Sequence, residues 1–204
     1  MFTTWQNILD LIIPPTPAGK LIRSLDSQTL TKLYTPRYFT SHIALSNYSN
    51  QYIHALITDN KFQANPTAAT WLAQLLTTYI KSLETEVILI PIPLSHNRKK
   101  KRGHNQVATI LTQIDTTSLS TNISIHHCLT RTRDTPPQTT LSRADRLKNV
   151  RNVFKAHKIP ITESTQILIV DDVTTTGATL SAAKQAVQKV ISKNTQIQTV
   201  ALAH

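Results

Sequence analysis

The chain has 204 residues and one cysteine, Cys128, so neither a disulfide framework nor a four-cysteine zinc site can be built from it. A lone cysteine fits a reducing compartment. No apolar run approaches the ~20 residues needed to span a bilayer. The opening Met1-Phe-Thr-Thr-Trp5 lacks the basic segment of a secretory signal. The expectation is a cytoplasmic chain with no membrane insertion. Also missing is any G-x-x-x-x-G-K-[ST] sequence, which excludes a P-loop. With 40% apolar residues, a chain of this length buries roughly 70% of its unfolded surface and needs no staples.

Acidic residues are scarce, 11 against 22 Lys and Arg, and the imbalance is local. Residues 96–158 hold thirteen Lys/Arg and three Asp/Glu, a net +10, whereas residues 1–95 carry +1 and residues 159–204 balance to zero. Charge concentrated in this way suits a polyanionic partner, either nucleic acid or a multiply phosphorylated small molecule.

Apolar spacing divides the chain into elements. Trp5, Ile8, Leu9 and Ile12 recur at helical intervals before Pro14-Pro15, and residues 16–38 read as short helical pieces. A strand is expected over 38–45 and a helix over 49–60. Asn65-Pro66 opens a further helix as cap and first-turn proline. Then strands and helices alternate: a strand at 87–90, a helix carrying Val107, Ile110, Leu111 and Ile114, and a strand over 123–129. A basic Thr/Pro-rich loop over 130–142 leads to a capping-box pair, Ser142 and Asp145. Strands at 150–156, 167–170 and 198–203 complete the series, with a helix carrying Leu180, Ala183 and Val187 before the last. No hairpin signal intervenes, so the fold class is α/β: a parallel twisted sheet with helices on both faces. Residues 1–45 form a mainly helical N-terminal extension and 46–204 the main domain.

The most informative segment is Ile167-Leu-Ile-Val-Asp171-Asp172-Val-Thr174-Thr175-Thr176-Gly177-Ala178-Thr179. Two carboxylates emerge at the carboxyl end of a buried strand, where open α/β sheets bind ligands. A small hydroxyl-rich turn follows, in which Gly177 lets the backbone approach a ligand closely. The next helix aims its N-terminal amides at the same point, which suits a phosphate. A phosphatase-type Asp-x-Asp is excluded because Val173 occupies the needed position. Acid pair and phosphate cradle together suggest a phosphorylated sugar.

This segment closely resembles the phosphoribosyl-diphosphate (PRPP) binding motif of type I phosphoribosyltransferases. Two further blocks narrow the likeness: Ile90-Pro-Ile-Pro-Leu-Ser-His-Asn-Arg98-Lys-Lys-Lys-Arg102-Gly103-His104-Asn105-Gln106, and Thr135-Pro-Pro-Gln138 with Leu141, Arg146, Asn149, Val150 and Phe154. In that order the three blocks resemble the ComF family, linked to DNA uptake in competent bacteria, over about residues 45–203. The family's cysteine-rich zinc module has no counterpart here, and His104 and Asn152 stand where relatives commonly have Phe and Gly.

The resemblance implies that Asp171 and Asp172 bind the ribose hydroxyls and are the catalytic carboxylates. It implies that Thr174, Thr175, Thr176, Gly177, Ala178 and Thr179 wrap the 5′-phosphate. Arg98 and Arg102 would belong to the pyrophosphate loop, and Gln138 and Arg146 to a flexible loop closing over PRPP. Mg²⁺ would be held by substrate oxygens and water, with no direct protein ligand. The implied reaction moves phosphoribosyl to a nitrogen acceptor and releases pyrophosphate. The rival reading is a non-catalytic module that holds single-stranded DNA on its basic face, with PRPP as ligand or regulator. The sequence leaves the acceptor, any general base and a homo-oligomeric state open.

Overall fold

Two apolar runs, 87–90 and 167–170, set the centre of the molecule, because β-branched and leucine side chains in unbroken succession suit strands covered on both faces. The computed structural model describes residues 16–133, 152–162 and 165–204. The expected helix around Trp5 and Ile12, the loop bearing Gln138 and Arg146, and the Ser142/Asp145 cap lie outside the described residues.

Helices α1 (Pro17–Ser24) and α2 (Ser27–Leu33) come first, then a hairpin of β1 (Arg37–Tyr38) and β2 (Ile43–Ser46). Helices α3 (Gln51–Gln63) and α4 (Pro66–Ile80) lead into strand β3 (Glu86–Pro91). Two short helices follow, α5 (His96–Arg102) and α6 (Gln106–Thr112), then strands β4 (Ile123–Ile125) and β5 (Leu129–Arg131). Strands β6 (Phe154–Ala156) and β7 (Thr165–Val173), helix α7 (Ala178–Gln188) and strand β8 (Gln196–Ala203) complete the order.

The six-stranded sheet runs β1-β2-β8-β7-β3-β4, and every pairing in it is parallel except β1 with β2. Ile88 sits opposite Ile167 and Ile90 opposite Ile169 at its centre. Because successive side chains alternate across a strand, the same strands feed two cores. Leu89, Leu168, Val170 and Leu202 face α3, α4 and α6, joined by Leu56, Leu72, Leu76 and Ile110. Ile88, Ile90, Ile167 and Ile169 face α7 through Leu180, Ala183 and Val187. Each fully buried aliphatic side chain contributes about 1.5–3 kcal/mol.

Three departures from expectation have local causes. The strand foreseen over 38–45 breaks into the antiparallel β1–β2 hairpin, bending at Thr40-Ser41, where the sequence has no Gly, Pro, Asn or Asp to announce a turn. The run 123–129 divides: β4 pairs with β3, then the chain leaves the sheet and β5 pairs antiparallel with β6 in a separate two-stranded ribbon. The boundary expected at residue 45 falls inside β2, which pairs with β8 and so ties the N-terminal segment into the main sheet. No helix among the described residues is long and apolar enough to cross a membrane.

Candidate functional site

From β3 the chain proceeds outward to β4, and from β7 outward the other way to β8, so strand order reverses between β3 and β7. At such a reversal the connections diverge and open a crevice at the carboxyl edge. A cleft of about 350 Å³ lies there, walled by the ends of both strands, the 92–94 segment, α5, the start of α6 and the loop before α7.

Strand β7 continues through Val173, so the acid pair occupies its last turn of pleat rather than the loop beyond it. Both carboxylates line the cleft even though neighbours on a strand alternate, because the sheet ends here and its edge is open. Asp172 is 7% exposed, and two donors fix its carboxylate: Gln106 Nε2 at 3.0 Å and the Val173 amide at 2.8 Å. Asp171 keeps part of its surface open and accepts the Asp172 amide at 2.9 Å. Burial pushes the Asp171 carboxyl well above the usual carboxylate range, Asp172 beside it adds repulsion and a hydrogen bond, and Lys61 pulls the other way. A carboxyl so placed takes up positive charge readily, and a cation arriving in the cleft favours its ionised form.

The loop after β7 is built by its own hydroxyls. Thr174, 6% exposed, accepts the Gly177 amide on Oγ1 at 3.0 Å, and its own amide donates to the Ala203 carbonyl at 3.0 Å. Gly177 is the N-cap of α7 with φ +71°, and it supplies no capping side chain. The Ala178 amide donates to Thr176 Oγ1 at 3.4 Å, and the α7 N-terminus brings its partial positive charge beside the cleft through Thr179. Thr174, Thr175 and Thr179 line the cleft, whereas Thr176, Gly177 and Ala178 shape the bend behind it. The close approach that requires Gly177 is internal. A Cβ there would meet Ser41 Oγ and come within 2.7 Å of His42 Nδ1, so the β1–β2 turn already requires the missing side chain.

The positive wall comes from several elements. Arg98 and Arg102 line the cleft from a helix, not a loop: Ser95 caps α5, and Gly103, at φ +76°, ends it. Arg102 is half-buried; burial lowers its guanidinium pKa, Asp172 raises it, and Arg98 adds a smaller lowering. Arg131 of β5 also reaches the cleft, with its guanidinium 5.4 Å from the Phe154 ring centroid. Gln138 and Arg146 lie outside the described residues.

Four polar lining residues were not among the expected site residues: Tyr48, Lys61, Gln106 and Arg131. Gln106 is 5% exposed and sits one residue after the Asn105 cap, a polar residue at a core-facing helix start, which is itself a signal. Lys61 gives no local signal, because its approach is a tertiary event. Asn152 and His104 each have a local structural basis. Asn152 adopts φ +55°, a left-handed conformation that asparagine tolerates. His104 sets Nδ1 2.9 Å from the Arg102 carbonyl and Nε2 3.1 Å from the Asn60 carbonyl.

No cluster of three or more His, Cys, Asp or Glu able to hold a metal occurs among the described residues. Cys128 is buried, and burial pushes its thiol up to about 11, which leaves it a packing residue and not a nucleophile. A scan against protein-family models finds no match to this chain, and a search of curated proteins likewise finds none.

Proposed function

We propose that the chain is a PRPP-binding, type I phosphoribosyltransferase-like protein of the ComF kind, transferring phosphoribosyl to a nitrogen acceptor with release of pyrophosphate. One observation carries the reading: the acid pair, Thr174, Thr175 and Thr179 at the start of α7, and Arg98 and Arg102 share one cleft at the sheet's reversal point. Each part has a task there. Asp172, oriented by Gln106 and the Val173 amide, accepts a ribose hydroxyl, and Asp171 accepts its neighbour. Thr175, Thr179 and the α7 amides receive the 5′-phosphate. The arginines face the departing diphosphate.

Catalysis of this kind rests on positioning and electrostatics. As C1 loses pyrophosphate and the ring gains positive charge, the ionised acid pair stabilises it, and Arg98 and Arg102 stabilise the charge that leaves. The oxygen-rich donor set of the cleft would suit Mg²⁺ held by substrate oxygens and water, which would supply charge neutralisation of the diphosphate, with Asp171 and Asp172 as the nearby carboxylates.

The rival reading, a module for single-stranded DNA, draws on the exposed Lys99, Lys100 and Lys101 of α5. Thermal unfolding with Mg-PRPP, repeated on Asp171→Asn/Asp172→Asn, separates the two when run beside oligonucleotide titrations at several salt concentrations. A PRPP-dependent rise in midpoint that the double variant loses supports the cleft reading. No response to PRPP, together with salt-sensitive oligonucleotide binding, replaces it with the rival.

A further inference from the structure

The β1–β2 turn supports the bend after β7 from behind, and at its centre stands a histidine with nowhere to put a charge. The Phe39 amide donates to the His42 carbonyl at 2.8 Å and closes the turn. Ser41 Oγ and His42 Nδ1 lie 3.0 Å apart, and a Cβ on Gly177 would run into both, so the pair packs on the bare Cα of the bend. The Ser41 carbonyl accepts Thr199 Oγ1 at 2.6 Å, which pins the turn to β8. From the same strand the Ala203 carbonyl accepts the Thr174 amide at 3.0 Å, so turn and bend share one anchor. Phe39, His42 and His204 stack within 16° of parallel, their centroids 4.5–5.6 Å apart.

His42 is 5% exposed, and its Nε2 is buried without a hydrogen-bond partner. Whichever nitrogen holds the proton of the neutral ring, an imidazolium carries an N–H at both, and the Nε2–H then has no acceptor. Its charge is no better served. Burial opposes it first and His204 second, and no described carboxylate offsets them. The bend adds only Gly177 and the positive end of α7, and the hairpin's other ionisable side chains, Arg37 and Tyr38, are exposed. His42 therefore stays neutral until pH falls below the ordinary histidine value of about 6.5. A charged ring reaches water only by leaving the stack, and Ser41, bonded to it and adjacent in the chain, leaves Gly177 with it.

We propose that His42 is a positioning residue for the bend after β7: neutral, it seats the turn on Gly177, and protonated, it withdraws that support and weakens the cleft's hold on a phosphate group. The inference deepens the reading above and rests on it for the phosphate alone. His42 does not line the cleft, and it acts through Ser41 and Gly177.

The test titrates the full chain with ribose 5-phosphate by calorimetry at about pH 7.5 and about pH 5, with circular dichroism checking the fold at each. The His42 ring and the Gly177 amide are followed by NMR over the same range. The ligand's own proton at about pH 6 and the Asp171 carboxyl act on every variant alike, so the comparison between variants isolates His42. Wild-type affinity falls about fivefold or more beyond the fall in His42→Asn, which keeps a neutral polar partner for Ser41. His42→Phe keeps the stacked ring and gives the same smaller fall. The Gly177 shift follows the His42 titration in wild type and stands still in both variants. His204→Phe keeps the stack and removes one repulsion, so both curves move to higher pH, a change that a merely structural role would not produce. Equal pH dependence in wild type and the His42 variants, or a Gly177 amide indifferent to the His42 titration, overturns the proposal. A Gly177 amide that follows His42 without ribose 5-phosphate binding keeps the hinge and removes the phosphate reading. Binding whose pH profile ignores His42 does the reverse.

Discussion

Gly177→Ala and Gly103→Ala form a matched pair that isolates what the bend after β7 requires. Both glycines are left-handed, at φ +71° and +76°, so each alanine carries the same conformational penalty of about 1–2 kcal/mol. Their surroundings differ. A Cβ on Gly103 meets nothing within 4 Å, whereas one on Gly177 runs into Ser41 Oγ and His42 Nδ1, with Ser41 Cβ at 3.2 Å behind them. His42 cannot easily yield: it is 5% exposed and stacked on Phe39 at 4.6 Å, and the adjoining Ser41 carbonyl accepts Thr199 Oγ1 at 2.6 Å. Overpacking of this sort adds about 1–3 kcal/mol, which puts Gly177→Ala near 2–5 kcal/mol in total. For a chain of this length that lowers the unfolding midpoint by roughly 4–20 °C, against about 2–8 °C for Gly103→Ala. Urea unfolding followed by circular dichroism measures both. Adding Ser41→Gly to Gly177→Ala recovers part of the loss, because the Ser41 Oγ and Cβ contacts are gone while the His42 Nδ1 contact remains. Equal losses for the two single variants, or no recovery in the double, would refute the close-approach argument.

Other expectations follow from the same geometry. Asp171→Asn removes a carboxyl whose proton affinity is raised by folding. The native state binds that proton more tightly than the unfolded chain, so stability falls as pH rises from the unfolded carboxylate pKa through the raised folded value. Asp171→Asn therefore flattens that segment of a midpoint-versus-pH curve and raises stability at neutral pH by about 0.5–2 kcal/mol, as relief of a strained site commonly does. A loss of stability at neutral pH would contradict this. Gln106→Leu leaves Asp172 Oδ2 without its side-chain donor, and loses about 1–3 kcal/mol in chemical unfolding. Leu168→Ala, at a fully buried position in the larger core, loses about 2–5 kcal/mol in the same assay.

The sequence made β3, β7, α4 and the acid-then-threonine bend legible, because each carries its cause locally. Residues 167–170 are apolar without a break, and Asn65 caps α4 with contacts to the Thr67 and Ala68 amides. Helix α5 was hidden for the opposite reason. His-Asn-Arg-Lys-Lys-Lys-Arg buries no residue and shows no apolar face, so only the Ser95 cap and the Gly103 stop hint at it. The β4–β5 division was hidden because Ile123, Ile125, Cys128 and Leu129 all look strand-like, and pairing with β6 decides where one strand ends. At the site, Asp171, Asp172, Arg98 and Arg102 could be found by motif, whereas Lys61 reaches the cleft only because Asn60 packs under Gln106 and His104. Gly177 was legible as a glycine-requiring position, but its close approach to Ser41 and His42 is a tertiary event the sequence does not show.

The most direct test of the central claim follows backbone amide chemical shifts as ribose 5-phosphate is added to the isotope-labelled chain. Recognition of a phosphorylated pentose by this cleft predicts saturable shifts concentrated at residues 171–180 and at Gln106, lost in Asp171→Asn/Asp172→Asn. Shifts confined to residues 99–101, or none at all, would contradict it.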